Sequence, residues 1–340
     1  MPSHSKQVRI VHYENDPTPW LLDVDPDNPS IRYYALRDLL NMPEDDPEMG
    51  RARRAIMESG PVPVILGAQQ PDGSWNPKSG KYPDSVWHYQ STWWQVVFLA
   101  ELGADPGDER VRRGCEFILS HYLAENHAFS GSTPPIPSRV VHCMNGLIVW
   151  ALAQLGYLKD ERLRIAIEWI VNAITGDSPE LKYYKSGTSG PLFACGVNLK
   201  QPCAWGGAKA MRALAAIPLE RRNPAIQKAI QVGTDFLLSR DLAVADYPYT
   251  ERVSATWFKL GFPLSYWSDV LEAAGVLVDL GYGNDPRLEG VKRLIGDKRD
   301  ENGRWNLENT LNGKTWVDIE EKGKPSKWIT LRAMKVLRLK

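Results

Sequence analysis

One helical hairpin, written again and again along the chain, constrains this sequence more than any other feature. Its clearest copy is Leu280–Trp305, LGYGNDPRLEGVKRLIGDKRDENGRW. Leu280-Gly281 closes a helix, Gly281 supplying the positive φ of a C-cap. Asp285-Pro286 opens the next, with an acidic N-cap followed by proline at the first helical position. Leu288, Val291, Leu294 and Ile295 then fall on one helical face. Related copies are LGADPGDERVRRGCEFILSH from Leu102, LGYLKDERLRIAIEWIV from Leu155 and IPLERRNPAIQKAIQVGTDFLLSRD from Ile217. A looser one, LLNMPEDDPEMGRARRAIM, starts at Leu39, and VLRLK at the C-terminus begins another. Phase points at Leu40, Leu102, Leu155, Ile217, Leu280 and Leu337 are spaced by 62, 53, 62, 63 and 57 residues.

A single hairpin cannot bury both of its faces, so regular recurrence predicts neighbours stacked into a continuous layer. Six phase points fit an open solenoid or a closed ring. Closure is favoured because RYYALRDLL and WITLRAMKVLRL, the first and last helices, carry wide apolar faces rather than polar caps. The expected fold is all-α, an (α/α)6 toroid over residues 30–340 with an N-terminal arm over 1–29. Inner helices are expected near Ile31–Leu40, Ser91–Leu102, Cys143–Leu155, Cys203–Ile217, Trp267–Leu280 and Lys327–Leu337. Outer helices are expected near Glu48–Leu66, Asp108–Leu123, Glu161–Ile174, Pro224–Leu238 and Pro286–Ile295. MNGLIVWALAQL and SDVLEAAGVLVDL are apolar nearly all round, as helices covered on both sides must be, whereas the outer partners are amphipathic.

At 340 residues and 43% hydrophobic, the chain can bury one large core. Its 41 basic and 41 acidic residues balance, which argues against a nucleic-acid or anionic-membrane partner. No apolar run reaches the roughly 20 residues of a spanning helix. Four cysteines without a CxxC pair read as free thiols, and the expected setting is the cytoplasm. The segments entering the inner helices, such as KYYKSGTSGPLFACGVNLKQP and VADYPYTERVSATWFKLGFPLSY, are long and rich in aromatics, Cys and Pro. The opposite connections, LGYLKD and LGYGND, are short, so function is expected at the elaborated end.

QQPDGSW at Gln69–Trp75 and DENGRW at Asp300–Trp305, the latter preceded by Arg299 in place of Gln, carry a resemblance. They are similar to the Gln-to-Trp repeat of squalene and oxidosqualene cyclases, and the hairpin repeat resembles the terpenoid cyclase and protein prenyltransferase superfamily. That resemblance implies a six-hairpin toroid whose inner helices aim their N-termini at a central funnel, with Gln stacked on Trp. The protonating DxDD and the magnesium-diphosphate DDxxD of those cyclases are both missing.

Soft ligands gather instead at the expected inner-helix starts: His142, Cys143, Cys195 and Cys203, with His88 before the second inner helix. Cys and His are the usual zinc ligands and helix N-termini favour thiolates, so zinc is the expected cofactor. Prenyltransferases likewise hold zinc with Asp, Cys and His at such starts, although their spacing is not reproduced here. The plainer alternative is half-buried packing, for cysteine is among the most buried residue types. Tyr184, Arg252, Asp269 and Lys327 are the candidate catalytic or charge-binding groups. Trp87, Trp205, Trp257, Trp267 and Trp316 are the candidate lining of a pocket for a small hydrophobic or aromatic substrate. Three functions follow. The first is a zinc enzyme hydrolysing an ester or phosphoester with an apolar group, by lowering the pKa of bound water. The second is an isoprenoid cyclase or prenyltransferase, and the third a non-catalytic toroid that captures a hydrophobic ligand or peptide.

Overall fold

The computed structural model describes residues 15–76, 86–177, 192–247 and 254–338. In chain order the helices are α1 (Thr18–Leu22), α2 (Pro29–Tyr34), α3 (Pro47–Glu58), α4 (Pro61–Gly67), α5 (Thr92–Glu101), α6 (Glu109–His121) and α7 (His142–Gln154). They continue with α8 (Glu161–Thr175), α9 (Ala204–Ala215), α10 (Pro224–Leu237), α11 (Val270–Asp279), α12 (Glu289–Gly296) and α13 (Lys327–Arg338). A π-helical turn, Ala35–Leu39, extends α2. The strands β1 (Trp305–Asn306) and β2 (Pro325–Ser326) form a single antiparallel pair.

Two layers result. α5, α7, α9, α11 and α13 pack side by side in sequence, and α13 also meets α2. Ser30 on α2 donates its hydroxyl to the Leu102 carbonyl at the end of α5 (2.6 Å), which brings the first inner helix back to the second. The ring is closed. Outside it, α6 covers α5, α8 covers α7, α10 covers α9, and α12 lies against α11 and α13. Side-chain caps mark the starts of most outer helices. Outer helices α3, α6 and α8 begin on Asp46, Asp108 and Asp160, and α10 begins on Asn223, each accepting from a backbone N–H of the first turn. Inner helices α5, α7 and α9 start with no side-chain cap.

α7 and α9 pack backbone to backbone. A Cβ at Gly146 would lie 2.3 Å from the carbonyl carbon and oxygen of Lys209, so only glycine lets these backbones approach. The sequence reading errs on two boundaries. The outer segment 48–66 is two helices, because Gly60 adopts φ +69° and Pro61 restarts the helix without an N–H to continue the old one. The fifth inner helix starts at Val270 rather than Trp267, since the Asp269 carboxylate accepts the Glu272 N–H (2.7 Å) and fixes the N-cap there.

Within the 1–29 arm, α1 is a folded helix whose Leu21 is fully buried. The paired motifs are rivets. The Trp75 indole N–H donates to the Ile65 carbonyl (2.7 Å) ten residues earlier, and its backbone N–H to the Thr92 hydroxyl on α5 (2.9 Å). Trp305 repeats both bonds, to Ile295 (2.7 Å) and to Thr330 on α13 (3.0 Å). Tyr247 makes the same ten-residue reach, its hydroxyl donating to the Leu237 carbonyl. Each aromatic ties the end of an outer helix, and the two tryptophans also grip the following inner helix. Gln69 bonds the Gly73 and Arg110 carbonyls (3.2 and 2.8 Å), tying the turn to α6.

Candidate functional site

The ring surrounds a half-open cavity of about 410 Å³ toward the C-terminal ends of the inner helices. Its walls include Tyr34, Trp150, Phe262 and Trp328, the last two stacked face to face with centroids 4.0 Å apart. Charged residues enter from four inner helices. Glu101 ends α5, Arg212 lies on α9, Glu272 in the first turn of α11, Asp279 at its end, and Arg332 and Lys335 on α13. The π turn brings Arg37 and Asp38 to the edge, a place where such bulges recur at functional sites.

These charges are wired together. Lys209 donates to Glu272 (2.6 Å) with both side chains essentially inaccessible, at 0% and 1%. Arg212 reaches the same carboxylate at 3.4 Å and Glu101 at 2.7 Å, and its guanidinium lies 3.5 Å from the centre of the Trp150 ring. The other Glu101 oxygen accepts from the Leu264 N–H (3.0 Å). Burial opposes ionisation of Glu101, but the charges of Arg212 and Arg332 outweigh it and hold its pKa below the usual value. Burial pushes the Lys209 pKa down, against the pull of Glu272. The two remaining lining carboxylates are taken as well, Asp38 by Arg37 (2.6 Å) and Asp279 by Lys335 (2.8 Å).

The opposite end holds the residues that sequence singled out. Cys143, Cys195 and Cys203 do come together, from the first turn of α7, the 193–203 hairpin and the N-cap of α9. Cys203 and Cys195 share a thiol hydrogen bond, which with burial drives the Cys203 pKa well up; burial and neighbouring Cys195 push Cys143 up to about 12. His142 packs its ring between Trp169 and Phe193, with centroids at 5.8 and 5.7 Å. Among the described residues no three His, Cys, Asp or Glu side chains are arranged to hold a metal ion.

Asp269 caps α11. Its oxygens accept the Glu272 and Gly261 N–H groups (2.7 and 2.8 Å), and burial raises its pKa. Lys327 turns to the N-terminal segment, pairing with Asp25 at 2.9 Å over the Trp20 ring. Tyr184 and Arg252 lie outside the described residues. Trp87, Trp205 and Trp267 gather around Tyr266 at centroid distances of 6.1, 6.4 and 5.0 Å, with Trp87 64% exposed. Trp316 donates to the Gln90 carbonyl (2.9 Å). Trp257 is fully buried with its N–H on the Leu242 carbonyl (2.9 Å), a packing role rather than a lining one.

Sequence reasoning missed the cavity residues, although one signal was present. Lys209, Arg212 and Glu272 interrupt helices that are otherwise small or apolar, AWGGAKAMRALA and VLEAAGVLVD, and a charge there must be paired inside.

No family model matches the sequence, and no curated protein does. Solved structures with a similar course of the chain do exist. A protein from Actinoplanes is 16% identical over 91% of this chain and 89% of its own, with a TM-score of 0.44. A GH76 alpha-mannanase from Bacteroides thetaiotaomicron is 14% identical over 92% and 84%, with a TM-score of 0.45. The type II terpene cyclase MstE from Scytonema is 14% identical over 92% and 87%, with a TM-score of 0.41. At these values nothing about activity passes to this chain.

Proposed function

We propose that the protein is an enzyme whose reacting centre is the interior cavity, acting on a small substrate with an apolar or aromatic body. The buried chain Lys209–Glu272–Arg212–Glu101, set in the wall of an aromatic-sided cavity, carries this reading. Replacing such networks by apolar residues is often neutral or stabilising by ~1–4 kcal/mol, so packing alone gives little reason to keep one. Ionisable groups concentrated in an apolar hollow are the usual mark of a reacting centre. Glu272 lines the cavity with its carboxylate oriented by Lys209 and Arg212, and we assign to it the proton transfer with water or a substrate hydroxyl that displaces the long Arg212 contact. Hydrolysis of an ester or phosphoester is the reaction class we favour.

The test is a panel of small aryl esters, aryl phosphoesters and prenyl diphosphates, run on the wild type, Glu272→Gln and Gly275→Leu. Gly275 lines the cavity, and a Cβ there meets only Val336 at 3.8 Å, so a larger side chain fills the space. We expect turnover of one ester class, lowered ~100-fold or more in Glu272→Gln and abolished in Gly275→Leu at unchanged helical content. Diphosphate release would favour the isoprenoid reading. Saturable binding without turnover would favour a capturing toroid.

The contact of three thiols favours a second reading, in which a soft metal draws Cys143, Cys195 and Cys203 around itself by rotamer changes. Its signature is about one zinc per chain, lost in Cys203→Ala and kept in Cys115→Ala, because Cys115 is buried on α6 away from the cluster. Metal-free protein of full stability from zinc-supplemented growth decides against it.

A further inference from the structure

One cation in the cavity wall lacks an acceptor of its own strength. The lining cations are Arg37, Arg212, Arg332 and Lys335; Arg37, Arg212 and Lys335 each close an ion pair, while Arg332 closes none among the described residues. Its one hydrogen bond is a long contact of 3.4 Å to the Gly261 carbonyl. Glu101 and Asp269 feel its charge, yet their oxygens are occupied by Arg212 and by backbone N–H groups. One helical turn earlier on α13, Trp328 lines the same cavity with its ring, while its indole N–H is closed off from it. All four lining carboxylates are already engaged, so the unfilled demand in this cavity is for acceptors and not for donors.

We propose that the cavity takes a small monoanionic carboxylate with a planar apolar body. The carboxylate lies across the Arg332 fork, and the body lies against the aromatic wall formed by Tyr34 and Phe262. A guanidinium presents paired N–H groups that match the two oxygens of a carboxylate. One unpaired cation matches one negative charge, which sets a monoanion apart from a phosphate dianion. The surrounding wall is aromatic and aliphatic, with Leu271, Val276 and Val336 completing it. This inference rests on the cavity being the functional site, and adds the chemistry of what enters.

The experiment measures binding of three probes of one shape: naphthoate, naphthamide and naphthylmethylamine. Titration calorimetry and thermal shift are applied to the full chain as wild type, Arg332→Gln and Trp328→Phe. We expect naphthoate to bind at least roughly tenfold tighter than naphthamide, the amine not at all, and Arg332→Gln to erase that preference, as loss of a charged hydrogen bond predicts. Trp328→Phe keeps an aromatic wall and removes only an N–H closed off from the cavity, so the preference for naphthoate over naphthamide should persist in it; its loss there would overturn the assignment to Arg332. Should either variant fail to fold, Arg332→Lys serves, with charge kept and the fork lost; naphthoate should then weaken while still outbinding the amide. Equal binding of acid and amide, unchanged in Arg332→Gln, overturns the carboxylate assignment and leaves the cavity reading standing. Failure of all three probes to bind, in wild type and Gly275→Leu alike, overturns both.

Discussion

Glu101 closes α5 behind a run of apolar residues, and its two oxygens answer Arg212 on α9 and the Leu264 N–H before α11. One side chain therefore ties three parts of the ring. Its pKa in the folded protein lies below the ordinary value, so at acidic pH the unfolded chain binds a proton that the native state refuses. Stability then rises with pH in that window: the contribution is complete above about pH 4.3 and is lost as pH falls through the lower folded value. Glu101→Gln should cost ~3–5 kcal/mol at pH 7 by leaving Arg212 short of a charge. The gap to wild type should narrow steadily in denaturant titrations below pH 4.3. A constant gap from pH 7 to pH 3 would show that Glu101 is not held ionised. The same residue illustrates what sequence conceals. An acidic residue at the end of an apolar helix reads equally well as a surface terminus, and only the ring geometry brings an arginine from α9 to meet it.

Among the elements, the aromatic rivets account for part of the unusual tryptophan content. Trp75 and Trp305 are essentially buried, and each spends its indole N–H on an outer-helix carbonyl and its backbone N–H on an inner-helix threonine. Trp75→Ala should lower stability by ~3–5 kcal/mol through cavity formation. Thr92→Val, close in shape, should cost only ~1–3 kcal/mol by stranding the Trp75 N–H. Chemical denaturation of both variants checks the order, and a costlier Thr92→Val would mean that the hydroxyl does more than receive this bond. The alternation of layers was legible because helices such as α7, apolar on every side, can only be inner ones. The Asp caps at α6 and α8 marked outer starts equally plainly. The site was less legible. Cys143, Cys195 and Cys203 lie close together at converging inner-helix starts, whereas Arg332 could not be picked out from WITLRAMKVLRL without knowing what stands opposite α13. Whether a donor is met or unmet depends on residues from distant parts of the chain.

At the scale of the whole molecule, closure changes how stability is distributed. In an open stack the end repeats have one neighbour and can melt first, whereas here α13 packs on both α11 and α2 and no inner helix is terminal. Denaturation followed by tryptophan fluorescence and by far-ultraviolet dichroism should therefore give one coincident transition. Two separated transitions would mean that some hairpins unfold independently of the ring. The rivets add a property of a different kind. Trp75 grips a threonine 17 residues ahead and Trp305 one 25 residues ahead, yet both finish with the same pair of bonds. The distance the polypeptide travels between an outer helix and the next inner one is thus uncoupled from where that inner helix stands. The intervening segments behave as exchangeable cassettes: one rim can be lengthened, shortened or rewritten while the circumference of the ring, and the hollow within it, keep their dimensions.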